Sequence, residues 1–538
     1  MARIAFLDKV PVNFPALPDI NLGKAVDFNE IKASVNVAYD AIELSRVAWV
    51  GGALGNDSSG VVGQQYKPYA TVNAAIAAIN AIAGVDPYVV RIAPNVTGAV
   101  SVNSGGRTII LDASSLLGAV TVTGGTVILR TPAGMGALVA QDGSVTVAGT
   151  CGNITAGPTA SVKVTGDCGS ITSSSAGTIS IGGNCGAINM SGASLLTVNG
   201  SPSDAITQTN GIVVINGNVT YPVSGSGGAI IINGSSSGEI TSTGLLVHVP
   251  GTLVASTVSL TGATMIAGTG SVGVLNLASG SLFYDRSNSI NTPQSSVAVG
   301  SATVNGSTLV CGDVSALIVT GESSVGVSGN VLTASINGRS TVNIGQVWQS
   351  LSIGTAGVAT VKAGLMGASV AATGTSLIMH LLETFGSAGA ITNTYTTHTH
   401  KGDVIGSVSS SYGDFIAMGS VIGGVYTVGA KCKVLGSIVA EGALSVVSDA
   451  GGELLISGGG MIVTAKATNA SLTIVGAALT NIDVSPDGSS VYLHNCSVSG
   501  DIATSSAGTS TATIANCALL PTGSISVNLT TTLSAPIE

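Results

Sequence analysis

Apolar residues recur along this chain in pairs separated by one small or polar residue. Ile109/Leu111, Val127/Leu129, Val145/Val147, Val162/Val164, Ile179/Ile181, Leu196/Val198, Val213/Ile215, Ile230/Ile232 and Val247/Val249 form one series. Its first two steps are 18 residues and the next six are each 17. Alternation with period two marks strands with one face turned inward. A fixed step near 17 marks one coil of a stacked repeat, in which no coil can bury its inner face alone. A second column (Ile154, Ile171, Ile188) and a third (Cys151, Cys168, Cys185, each followed by Gly) keep the same step. The period returns at Val310, Val327 and Ile344, and looser steps connect Leu454, Leu472, Val491 and Ala512. The pattern predicts an all-β, elongated β-solenoid with short N-terminal helices. It is either a parallel β-helix or an intertwined trimeric β-repeat fibre. Val145, Val162 and Ile179, with the three cysteines, form its expected core ladder.

Departures from the period divide the chain. Residues 1–50 carry prolines 11, 15 and 18, then a helix start at Asp27 with Glu30 in the reciprocal capping position. Phe28, Ile31, Val35 and Ile42 follow at seam spacing, which suits a trimer seam or a short helix packed on its own chain. Residues 51–98 hold a Gly/Asp linker, an Ala/Ile helix from Val72 to Ile82 and a strand from Tyr88 to Ile92. Residues 99–282 are the regular shaft and 283–374 a second repeat segment. Residues 375–426 are expected as an irregular insertion or small domain, and 427–538 as a C-terminal repeat segment.

Composition narrows the classes. Charged residues are 8% and aromatics 3%, against about 25% charge in ordinary soluble domains. Such a chain can fill only a narrow core of Val, Ile, Ala and Cys. Mean hydropathy is +0.56, yet Gly, Ser, Thr and Asn punctuate every apolar run, so no membrane span is expected. A net charge of −9 disfavours nucleic acid as a partner. The N-terminus does not read as a secretory signal.

Candidate chemistry is sparse. The stacked cysteines read as small buried hydrophobes or, less simply, as metal ligands. In His398-Thr399-His400 the imidazoles share one face of a strand. In a threefold fibre they would bring six nitrogens to the axis, enough for a transition metal; the alternative is a surface strand. Glycan cleavage needs two suitably separated carboxylates. The best local groups are Asp285 with Tyr284 and Arg286, and Glu383 near His380, all expected on loops or rims. No catalytic residues and no resident cofactor are therefore assigned.

The order Gly/Asp loop, Lys67-Pro68-Tyr69-Ala70-Thr71, Ala/Ile helix and Tyr88-Val89-Val90-Arg91-Ile92 resembles the opening segment of pectate-lyase-like parallel β-helix proteins, as found in phage tailspikes. There the helix caps the open end. Together with Phe28-Asn29-Glu30-Ile31-Lys32, the architecture resembles phage virion appendages: tail fibres, tailspikes and head fibres. His-x-His is similarly found in some trimeric tail fibres. The resemblance implies a homotrimer in the virion. It would attach to capsid or tail adaptor through residues 1–50, be assembled in a host cytoplasm, and contact host surface polysaccharide. The rival expectations are a tailspike glycan depolymerase and a bacterial surface adhesin.

Overall fold

The computed structural model describes residues 44–94, 96, 98–115, 117–175, 177–285, 297–440, 446–484, 488–503, 510–519, 524 and 529–534. The seam residues Phe28, Ile31, Val35 and Ile42 lie outside the described residues. The fold is a parallel β-solenoid of about 22 turns. It divides into two units, Met1–Asn233 and Gly234–Glu538.

In the first unit each 17-residue step is one coil closed within the chain. Strand Ser144–Ala148 pairs in parallel with Ser161–Val164, and that with Thr178–Ile181. Val145, Val162 and Ile179 thus stack directly and are buried, as the alternation requires. Each such side chain contributes about 1.5–3 kcal/mol of burial. A second ladder stacks Leu138, Ile154, Ile171, Ile188, Ile206 and Val223. A third consists of single bridges, Leu117 to Met135 to Cys151 to Cys168, and Cys185 to Pro202. Every coil therefore has three stacked segments separated by corners.

Corners interrupt backbone pairing and leave N–H groups in need of acceptors. Short side chains of the preceding coil supply them. Asn153 Oδ1 accepts from Ser170 N at 2.9 Å, and Asp167 Oδ1 from Asn184 N at 2.6 Å. Asn184 Oδ1 then accepts from Ser201 N, and Ser201 Oγ from Asn218 N. All four steps are 17 residues.

The helix Val72–Ala81 begins at Thr71, whose hydroxyl accepts from Ala74 N. Its buried face, Val72, Ala75, Ile76 and Ile79, packs against strands Val47–Val50, Tyr88–Ile92 and Val100–Ala113. Arg107 is nearly buried and donates to the carbonyls of Ile79, Ile82 and Gly84 at 2.6–2.8 Å. A guanidinium at the negative end of the helix satisfies carbonyls that the helix itself leaves open.

The second unit keeps the three segments but often runs them together. Leu246–Thr261, Ser323–Asn337, Ala359–Thr373 and His380–Thr394 are single strands of 15 or 16 residues that turn corners through register shifts. Several corners use left-handed backbone at non-glycine residues, among them Tyr395 (φ 49°), Tyr412 (φ 55°) and Ala450 (φ 47°).

Residues 375–426, expected as an irregular insertion, instead continue the coil. Strands His380–Thr394, Thr396–Lys401, Val408–Ser411, Asp414–Ala417 and Val425–Val428 pair in parallel with their neighbours. His398, Phe415 and Cys432 occupy one ladder at the 17-residue step. The step into this stretch is 21 residues and the next 16, after which the 17-residue period holds, and the exchange of aliphatic for polar and aromatic side chains on the inner face hides it. A small excursion remains, where Thr375 and Ile378 close an antiparallel bridge beneath an exposed Leu377.

Candidate functional site

The candidate residues fall on two sides of the coil wall. On the inner side lies a polar cluster in the second unit. His380, Thr384, Thr396, His398, His400 and Asn393 are all at most 1% exposed. Even spacing turns His380 and Thr384 inward on strand His380–Thr394 and Thr396, His398 and His400 inward on strand Thr396–Lys401, while Asn393 comes inward beyond a register shift in the first of these strands. Thr384 Oγ1 lies 2.6 Å from His398 Nε2 and 2.9 Å from His400 Nδ1. His400 Nε2 lies 3.3 Å from the Asp403 carbonyl, which only accepts, so Nε2 carries the hydrogen and Nδ1 is the acceptor. The Thr384 hydroxyl then donates to His400 and accepts from His398 Nε2. His398 Nδ1 is left as an acceptor facing the Asn393 amide at 3.2 Å. The chain closes when that amide presents its NH2 group, which otherwise has no partner. His380 is held separately, accepting from Ala359 N and donating to the Thr373 carbonyl.

This geometry corrects the expected metal site. The rings of His398 and His400 point into the interior of their own coil, so they cannot meet other copies at a threefold axis or form a surface strand. Burial pushes His398 down to about 3, with the neighbouring His400 adding to the effect. Burial also lowers His400, partly offset by the Asp403 carbonyl and carboxylate. Among the described residues no group of three or more His, Cys, Asp or Glu side chains could hold a metal ion.

The cysteines are free. Cys151 and Cys168 are bridge partners on adjacent coils, and Cys185 stands on the coil after them. Burial raises Cys151 and Cys185 to about 12 and raises Cys168 as well. Thiols held protonated in this way are poor nucleophiles.

The two carboxylate groups singled out from sequence do not assemble with their neighbours. Asp285 is fully buried, not on a rim, and its Oδ2 accepts from Val297 N at 2.7 Å. Tyr284 points outward from the same strand, and Arg286 lies outside the described residues. Glu383 faces solvent and pairs with Lys401, whose hydrogen bond lowers its pKa, while His380 three residues away faces inward.

On the outer side, the second unit carries a groove of about 370 Å3 that sequence reasoning missed. Lys431, Lys433, Glu453, Leu455, Ser471 and Thr473 line it on three successive coils. Tyr492 extends it, pairing in register with Thr473 and stacking on His494 at 11°. Lys431 Nζ and Glu453 Oε2 are 3.5 Å apart and well exposed, so their pairing contributes little stability and both stay open to a ligand. The signal was present as paired lysines at i and i+2, but the 22-residue step to Glu453 disguised the alignment.

Among the described residues no helix is long and apolar enough to cross a membrane. Comparison with protein-family models, curated proteins and solved structures finds no match to this chain.

Proposed function

We propose that the chain is a structural virion appendage of tail-fibre or head-fibre type. It would attach through its N-terminal segment, assemble as a homotrimer and touch host surface glycans along the coil. The supporting observation is the groove on the second unit, set on a scaffold whose coils hold one another in register. Lys431 and Lys433 suit the carboxylates of acidic sugars, Ser471 and Thr473 suit hydroxyls, and Tyr492 offers a ring face for stacking. Each contact is weak. Several copies on a stiff scaffold convert weak contacts into avidity.

The test has two parts. Antibody against the purified chain should label intact particles. The chain should also bind host surface polysaccharide, with Lys433→Ala and Tyr492→Ala each weakening binding at least tenfold. Unlabelled particles would overturn the virion assignment. Release of new reducing ends from the polysaccharide would replace this reading with that of a depolymerase.

A further inference from the structure

The third ladder of the second unit turns an unusual set of side chains outward. Val404, Val421 and Ile438 are its inward bridge residues, and Ile405, Ile422 and Val439 follow each of them on the outer surface. Met461 pairs in register with Val439. These four are 37–55% exposed. Met366 and Trp348 carry the strip to earlier coils, past Ser387 and Gly389 on the coil between. Met418 and Leu435 widen it at the adjoining corner.

Glycine shapes this edge. A Cβ on Gly402, Gly419 or Gly436 would fall within 2.2 Å of a backbone oxygen of the coil before. Only glycine allows the corner to close so tightly, and the strip therefore stands flat beside a bare backbone.

We propose that this strip is a self-association surface, occupied by the same strips of the other copies of the chain, which face one another around a common axis. Three observations select that occupant. The first is periodicity: a matching partner must present apolar groups about every 4.8 Å, the spacing of stacked coils, and this chain has that repeat from Ile405 through Ile422 and Val439 to Met461. The second is charge. The outer surface of the other two ladders carries Lys431, Lys433, Glu453, Lys466 and Asp483. In the strip segments 402–406, 419–424, 436–440 and 458–462 Asp403 is the one charged residue, and its carboxylate accepts from Ser420 N at 2.8 Å. Identical strips can therefore meet without like charges opposed. The third is size. From Trp348 to Met461 the strip is about 30 Å long and about 15 Å wide, on the order of 400 Å2 of flat area. A stable interface takes about 800 Å2 from each partner, with the apolar strip as its core and the polar residues beside it as rim.

The surface follows from the geometry alone; the number of copies rests on the homotrimer reading. The experiment is the solution mass of the full chain by light scattering, with far-UV circular dichroism as a fold check. Wild type should be an oligomer of the 52.3 kDa chain. Ile405→Asp/Ile422→Asp should fall to monomer with an unchanged β spectrum, and Thr392→Asp on another outer surface should leave the mass unchanged. A folded double variant that stays oligomeric overturns this surface while leaving the trimer reading intact. A monomeric wild type overturns both. If the aspartates unfold the chain, Ile405→Ser/Ile422→Ser replaces them: at least tenfold weaker association is expected, and unchanged association overturns the proposal.

Discussion

The hydroxyl of Thr384 joins His398 and His400, at 2.6 and 2.9 Å, inside a coil where aliphatic side chains would otherwise stack. One oxygen thus satisfies two buried imidazoles. Thr384→Val keeps the shape and removes both bonds. Each unpaired buried group costs about 1–3 kcal/mol. The expected result is a matching loss of stability in urea, with hydrogen-exchange protection falling first over residues 380–401. Thr384→Ser keeps the hydroxyl and should lose far less.

Acidification should act on the same cluster before it acts on carboxylates. His398 and His400 both have folded pKa values held below the ordinary imidazole range, His398 at about 3. The unfolded chain therefore binds protons first. The contribution is fully present well above about pH 6.5 and is lost as pH falls toward the folded values, at up to about 1.4 kcal/mol per pH unit for His398, with His400 adding in the same direction. Denaturation midpoints measured between pH 7 and 5 should drop with pH. In His398→Gln/His400→Gln that slope should flatten, whatever its absolute stability.

Arg107 ties the capping helix to the first coils through three carbonyls and lies over the Tyr88 ring at 5.4 Å. Arg107→Met keeps much of the apolar stem and removes every donor. Hydrogen bonds to a charged group are worth about 1.5–3 kcal/mol. Exchange protection over residues 72–82 should collapse while that of residues 145–233 stays unchanged.

Ala450 holds a φ of 47° on an exposed corner, where an L side chain crowds its own carbonyl. Neighbouring coils place Gly429 (φ 57°) and Asn469 (φ 47°) in the same backbone conformation. Ala450→Gly should raise stability by up to about 1 kcal/mol, read as a higher denaturation midpoint.

The β-solenoid was legible because Val145, Val162 and Ile179 repeat one burial decision at one interval. The inward direction of His398 was not, since a polar residue on an inner face reads as a break in the pattern. Yet His398, Phe415 and Cys432 keep the interval, as do Val404, Val421 and Ile438. Following position without regard to hydrophobicity would have found both ladders. The apolar doublets such as Val421-Ile422 also signalled the outward strip, because strict alternation would place a polar residue second. Arg107 was not legible. Its partners are backbone carbonyls 23–28 residues away, which carry no side-chain signature.

The corner side chains have a consequence for how such a chain can change length. Asn153, Asp167 and Asn184 each offer an oxygen to an N–H one full turn later. A deletion of one residue moves every later donor off its acceptor and turns inner faces out. A deletion of one whole turn leaves each oxygen facing an equivalent donor. Length in this molecule is therefore quantised: it tolerates gain or loss in whole turns and resists any smaller change.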